Sequence, residues 1–167
     1  LAVQNARVSL SSAQLALSEL LNKNTSKEGS LLNQTQTQQE INVASAKNNY
    51  YNNNLQAYPE DYDETSEAPV ISGNYTCDIE GEYIVELYSS AADSGSSISL
   101  SGLENGRATV STDYPVALGN CGLEIVFPDS FKGNSTWIIP VPNTRSTGYF
   151  NVKKAYENAQ SGKDIVL

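Results

Sequence analysis

Of the side chains able to do acid–base work, this chain has many carboxylates and no imidazole: Asp and Glu total 19, and His is 0. Two carboxylate pairs stand out by spacing. Asp78/Glu80 and Glu82/Glu86 sit at even separations in strand-like sequence, so each pair shares one face of a strand. A glycoside hydrolase uses such a pair across a cleft. Without a cleft the same pairs form a solvated outer sheet face, and that is the reading taken here. The absence of His removes the commonest general base and metal ligand, and with it the His-dependent triads and the usual zinc sites. Ser161-Gly162-Lys163 ends like a phosphate loop. The first glycine of G-x-x-x-x-G-K-[ST] would fall at Glu157, however, and Asp164 stands where Ser or Thr is needed. No G-x-S-x-G or G-x-G-x-x-G occurs. The expectation is a protein that is not an enzyme and holds no cofactor or metal.

Cys77 and Cys121 are the two cysteines. Without His they do not make a zinc site, and they are too far apart for a redox C-x-x-C. A disulfide between them is expected in preference to two free core thiols, which points to an oxidising, extracytoplasmic compartment. It would close a long loop, worth on the order of 4 kcal/mol in the chain-entropy account. N-x-[ST] sequons occur at Asn24, Asn33, Asn74 and Asn134, close to chance in a chain this rich in Asn, Ser and Thr, and they matter only in a glycosylating host. The 10 Tyr suit either a binding surface or ordinary strand composition. The net charge of -9 argues against nucleic acid, whose phosphates need clustered Lys and Arg, and against a polybasic membrane-surface protein.

The elements that carry these residues divide sharply by composition. Residues 1–57 hold 17 Asn and Gln, no Pro and one Gly, with a net charge of +1. Residues 58–150 hold all 6 Pro, 9 of the 11 Gly, both Cys and the one Trp, with a net charge of -11. Residues 151–167 return to +1. The chain starts at Leu1 and contains no Met, which reads as a piece of a longer protein. No apolar run is long enough for a transmembrane helix, and no signal peptide is evident.

Val3, Ala6, Leu10, Ala13, Leu17 and Leu20 recur at spacings of three and four, the a/d seam of a heptad. Leu1, Val8 and Leu15 form a second apolar row, seven apart, on another face. Two rows suit a helix with more than one neighbour, and Ala6 and Ala13 would allow close approach. Residues 22–30 interrupt the pattern with turn formers. Ile41, Ala44, Asn48, Tyr51, Leu55 and Tyr58 resume it, with Thr37 and Glu40 as a possible capping box. The expectation is a coiled-coil helical hairpin over 1–57, with an ordinary two-helix piece of a globular core as the alternative. Either needs further helices packed on it.

Pro59 ends the helix, and residues 58–69 read as an acidic linker without the EF-hand spacing. From 70 to 150 the pattern is β. Tyr83, Val85 and Leu87 alternate with Glu82, Ile84, Glu86 and Tyr88; Ile98 and Leu100 alternate with Ser97, Ser99 and Ser101. Asn105-Gly106 signals a hairpin turn joining strands near Ser97–Leu103 and Arg107–Thr112. Leu123–Phe127 and Thr136–Ile139 complete six or seven short strands, which read as a small β-sandwich. The Cys…Cys…Trp order differs from the immunoglobulin order, so the expectation is Ig-like only. A helix restarts at Asn151 and runs on through 167. The fold class is therefore α+β, with a β region inserted between helical arms.

The stretch Val3–Leu17, followed by Leu20-Leu21, resembles the recurring Ala/Leu helix of HlyD-type membrane fusion (periplasmic adaptor) proteins. Ala68-Pro69-Val70-Ile71-Ser72-Gly73 is similar to that family's I-x-A-P-x-x-G return from helix to β structure. The resemblance covers about 75 of the 167 residues and departs at Asn74-Tyr75-Thr76-Cys77, where a Gly-Val-Val continuation is usual. It implies an extracytoplasmic, non-catalytic adaptor that packs against copies of itself and serves a membrane transporter. Membrane contact would come only through segments outside this chain, which would anchor the full-length protein. A cell-surface adhesin or appendage subunit, with the β region as binding head, is the alternative; a secreted carbohydrate-binding domain is a weaker third.

Overall fold

A computed structural model describes residues 2–60, 67–88, 96–111, 114–128 and 134–164. The protein is α+β: a long N-terminal helix, two antiparallel sheets and a C-terminal helix. Helix α1 (Ala2–Asn52) runs unbroken for 51 residues, about 75 Å at 1.5 Å per residue. The helix–turn–helix expected within 1–57 is not formed. Its proposed turn contains one Gly and no Pro, so nothing in it forbids helical φ/ψ. Its polar residues are absorbed along the helix: Thr25 Oγ1 donates to the Leu21 carbonyl at 2.9 Å. Thr35 and Thr37 donate in the same way to Leu31 and Asn33, so Thr37 lies inside α1 rather than capping a second helix with Glu40. This four-back bonding is how hydroxyl residues are accommodated in a helix.

The second arm is α2 (Tyr149–Asp164), on the far side of the β region. It begins beside the end of α1, where Asn53 Nδ2 donates to Ser146 Oγ at 3.5 Å, and it packs back along α1, so the two run antiparallel. Half-buried or buried positions on α1 are Gln36, Gln39, Val43, Ala46, Lys47, Tyr50, Tyr51 and Asn52; on α2 they are Tyr149, Val152, Tyr156, Ala159 and Gly162. Spacings of three and four on both partners make a regular seam.

The first sheet has the order β1-β8-β3-β4-β5, from β1 (Tyr58–Pro59), β3 (Gly81–Tyr88), β4 (Ser96–Gly102), β5 (Gly106–Val110) and β8 (Ser135–Val141). The second has the order β2-β7-β6, from β2 (Val70–Gly73), β6 (Val116–Ala117) and β7 (Leu123–Val126). Both bury side chains in one core: Tyr83, Val85, Leu87, Ile98, Trp137 and Ile139 from the first, Leu123 and Ile125 from the second. The period-two reading of β3 holds, with Tyr83, Val85 and Leu87 buried and Glu82 and Glu86 on the other face. The hairpin turn differs from the expected two-residue form. Leu100 pairs with Gly106, and neither Asn105 nor Gly106 has a left-handed φ; Gly102 has, at 96°. Strand β4 continues along β3 after leaving β5, and at Gly102 a Cβ would collide with the Glu82 carbonyl. Glycine is therefore required there.

Tyr58 and Pro59, expected as the start of the acidic linker, instead pair with Ile138 and Trp137, an edge position that tolerates proline. Pro69 is buried. Residues 61–66 of that linker and 165–167 of the returning helix lie outside the described residues.

Candidate functional site

The surface of α1 is the first candidate. Every described side chain from Arg7 to Thr35 is exposed, including Leu10 (60 %), Leu17 (58 %) and Leu20. These residues were expected to form the seam; Ile41 and Ala44 are exposed too, so that row does not pack within the chain. Val3 and Ala6 lie in α1, their side chains outside the described residues, and Ala13 is exposed. Tyr51 and Leu55 do reach the core, but near or beyond the end of α1. The seam in use is the row Gln36, Gln39, Val43, Ala46, Tyr50, and among the described residues burial on α1 begins at Gln36. Ile41 lies two residues from Val43, about 200° around the helix, so it remains 56 % exposed even where α2 is present. The expected row Val3–Leu20 shares the heptad phase of Ile41, whereas Leu1, Val8 and Leu15 share the phase of Val43 and Tyr50. Around Val8–Leu20 the two apolar rows lie on opposite faces of α1, and both are exposed.

The second candidate is the junction of α1 with the β region, built from an Asn run whose role was not legible in the sequence. Asn52 Oδ1 accepts from the Tyr75 N–H at 2.6 Å, and its Nδ2 donates to the Tyr75 carbonyl at 3.2 Å. Asn54, with φ 51°, ends the helix in the left-handed conformation that Asn tolerates, and its carbonyl accepts from Asn143 Nδ2. Asn143 is buried and also bonds the Tyr58 hydroxyl. The ring of Tyr50 stacks on Tyr156 at 5.3 Å and lies 5.1 Å from Tyr51, which in turn lies 5.7 Å from Tyr75.

Three of the four carboxylates picked out by spacing are committed to this junction or to a neighbouring hydroxyl. Asp78 pairs with Lys47 of α1, and Glu80 accepts from the Tyr50 hydroxyl at 2.9 Å. Both lie between β2 and β3 rather than on a strand. Glu86 accepts from Tyr88 at 2.6 Å, and Glu82 is exposed on the same strand. Glu104, not singled out by spacing, accepts from the Tyr83 hydroxyl and the Asn120 N–H, each at 2.8 Å. Burial works to raise the Glu104 pKa, but these bonds and one from the Cys121 N–H outweigh it and hold it below its ordinary value. Burial, and then hydrogen bonding to Tyr149 and to the Glu80 carboxylate, pushes the Tyr50 hydroxyl well up. Burial and the bond to Glu104 do the same for Tyr83. Both phenols are therefore neutral donors to carboxylates at pH 7.

Cys77 and Cys121 are joined in a disulfide, their Cα atoms 5.3 Å apart. Among the described residues no group of three or more Cys, Asp and Glu is placed to hold a metal, and no helix is long and apolar enough to cross a membrane. Compared with known proteins, the chain matches no family model, no curated protein and no solved structure.

Proposed function

We propose that the chain is a non-catalytic structural adaptor of an extracytoplasmic transport or secretion assembly, working through helix packing and protein–protein contacts. The observation that carries this reading is the exposed arm of α1. A helix owes most of its stability in a protein to packing of an apolar face. Between Arg7 and Thr35 that packing is absent while Leu10, Leu17, Leu20 and Leu31 remain exposed. The row of Leu10, Leu17 and Leu20 receives another copy of the chain or the membrane transporter. The opposite row, Val8 and Leu15, receives an antiparallel helix in line with α2. An ideal straight helix drifts about 20° per heptad, so keeping Val8 in line with Tyr50 takes the left-handed supercoil of a coiled coil. The β region, an Ig-like sandwich in this reading, is the contact module at the end of the paired helices. The likeness of Val3–Leu21 to the HlyD-type helix supports the same assignment, and the disulfide supports an oxidising compartment.

Light scattering at several concentrations tests this. The expected result is a mass that rises with concentration and a Leu10→Asp/Leu17→Asp variant that stays monomeric with unchanged helix content. A strict monomer at every concentration defeats self-assembly. It would favour the adhesin reading, in which the helices are a stalk only. That reading draws on one feature of the head: a cavity of about 170 Å³ between β5 and the turn after β6, floored by Ile98, Leu100 and Ala108 and rimmed by Asn105 and Asn120.

A further inference from the structure

We infer that the free edge of β5 receives an extended segment of a partner protein as an added antiparallel strand, with a carboxylate opposite Arg107 and an aliphatic residue on either side of it. The direction of the β5 backbone follows from the ladders. The Leu103 N–H donates to the Glu82 carbonyl at 2.9 Å, one step beyond the pair Tyr83 and Gly102. Opposed residues of an antiparallel pair alternate between bonded and non-bonded. Ser97, Ser99 and Ser101 therefore turn their main-chain groups to β3, while Ser96, Ile98 and Leu100 turn theirs to Val110, Ala108 and Gly106 of β5. The N–H and C=O of Arg107 and Thr109 point away from the sheet, and among the described residues nothing pairs with them. The other edges are blunted. By the same alternation, the bonds Glu60 to Thr136 and Leu118 to Leu123 leave Pro59 as the outward residue of β1 and Pro115 as the outward residue just before β6. Proline offers no N–H to an incoming strand. Strand β2 ends in Gly73, whose φ of 85° turns that edge. Sheets protect the edges they do not use, yet β5 has neither proline nor a left-handed residue.

Two features beside this edge state the chemistry of the occupant. On the inner face, the cavity of about 170 Å³ lies beside Ala108, with Ile98 and Leu100 as its apolar floor. On the outer face, Glu86, Ser99 and Arg107 stand in a row across β3, β4 and β5, and Arg107 makes no ion pair among the described residues. Side chains along a strand alternate between faces. A strand laid on β5 thus places one residue opposite Arg107, where Glu extends the row with the opposite charge, and places its neighbours on the inner face beside the cavity. Residues 58–150 carry a net charge of -11, so basic ends on the segment favour its approach and a second copy of the same region is repelled. Main-chain bonds give strand addition its affinity, and alternate side chains give its specificity. This goes beyond the adaptor reading and uses none of its residues, since Leu10→Asp/Leu17→Asp leaves β5 intact.

A capped peptide, Lys-Thr-Val-Glu-Val-Thr-Lys, titrated into the isotope-labelled full chain tests it by amide chemical shifts. Saturable shifts are expected at Arg107 and Thr109 and at the cavity residues Leu100 and Asn120. N-methylation of the central Glu, whose N–H faces β5 in this register, is expected to weaken binding about tenfold, and N-methylation of either Val, whose N–H faces away, less than about threefold. Thr109→Pro removes an outward N–H and spares the ladder to β4; a loss of about tenfold with an unchanged unfolding midpoint is expected. Arg107→Glu should lose the peptide and regain it when the central Glu is exchanged for Lys, a result that stands even where Thr109→Pro disturbs the fold. The absence of saturable shifts at Arg107 and Thr109 overturns the inference. Equal losses from N-methylation at Glu and Val overturn it too, because main-chain pairing would not be the contact. Shifts at these residues that grow with protein concentration without peptide also overturn it, because the edge would belong to a second copy.

Discussion

Leu17 and Leu123 are the same residue in opposite circumstances: one is 58 % exposed on α1, the other 1 % exposed on β7. The contrast extends to the regions around them. The β region buries its own apolar side chains, satisfies buried Asn143 through Tyr58 and the Asn54 carbonyl at the end of α1, and carries a large acidic excess. The free arm of α1 buries no side chain between Arg7 and Thr35, is nearly neutral, and displays Leu at helical spacing. A self-sufficient, strongly charged surface discourages close packing with copies of itself. A nearly neutral helix with apolar rows lacks that protection. One region covers its own apolar side chains; the other leaves its apolar rows exposed.

The largest effects should separate the two regions directly. Leu123→Ala is expected to cost about 2–5 kcal/mol, the range for emptying a packed core position. Leu17→Ala should change the stability of the monomer by less than about 0.5 kcal/mol, as at other exposed sites. Urea unfolding followed by Trp137 fluorescence measures both, and similar costs would erase the distinction. Next in size is the Cys77→Ser/Cys121→Ser variant, which should lose up to about 4 kcal/mol from the β region. The α-helical signal of the free arm should be untouched below the unfolding transition. A parallel loss of helix would mean that α1 depends on the Cys77–Cys121 disulfide along its whole length.

These contrasts also explain what could be read in the sequence. The strands were legible because β3 is buried on one face and wet on the other, so Tyr83, Val85 and Leu87 alternate cleanly with Glu82 and Glu86. The Cys77–Cys121 pairing was legible by elimination of zinc and C-x-x-C chemistry. The helix seam was misread for a physical reason: the strongest apolar row, Leu10, Leu17 and Leu20, faces away from α2, while the seam in use contains Gln36 and Gln39. Residues 22–30 resembled a turn, yet propensity for turns is weak against a helix that lacks both Pro and a competing tertiary contact. The junction was not legible at all. Asn52, Asn53 and Asn54 acquire their roles from Tyr75, Ser146 and Asn143, partners 23 to 93 residues away, and no local spacing encodes that.

A smaller effect tests whether the two regions are mechanically joined. Asn52→Ala removes both bonds to the Tyr75 backbone and leaves its half-enclosed N–H without that acceptor, a loss of about 1–3 kcal/mol. If the regions were independent, the change would register only as fraying of the last turn of α1. The expected result is a lower unfolding midpoint for the β region as well, read from Trp137, because Tyr75 sits in the common core with Tyr83.

The smallest expected effect is a pH dependence confined to the β region. Glu104 is held below its ordinary value of 4.5 by Asn120, Tyr83 and Cys121 despite the opposing pull of burial. A carboxylate with a depressed folded pKa binds its proton more weakly in the native state than in the unfolded chain. The stability it adds is therefore complete above about pH 4.5 and disappears as pH falls through the lower folded value. Tyr83 acts at the other extreme: its raised pKa adds stability that is complete below its ordinary 10.0 and is lost as pH rises beyond it. Melting curves from pH 2 to 6 should show the native protein losing stability on acidification more steeply than Glu104→Gln. The amide keeps an acceptor for the Tyr83 hydroxyl but cannot titrate. Equal slopes would mean that the Glu104 bonds are as strong to the acid as to the carboxylate, and the acid sensitivity of the β region would have to come from its exposed carboxylates acting together.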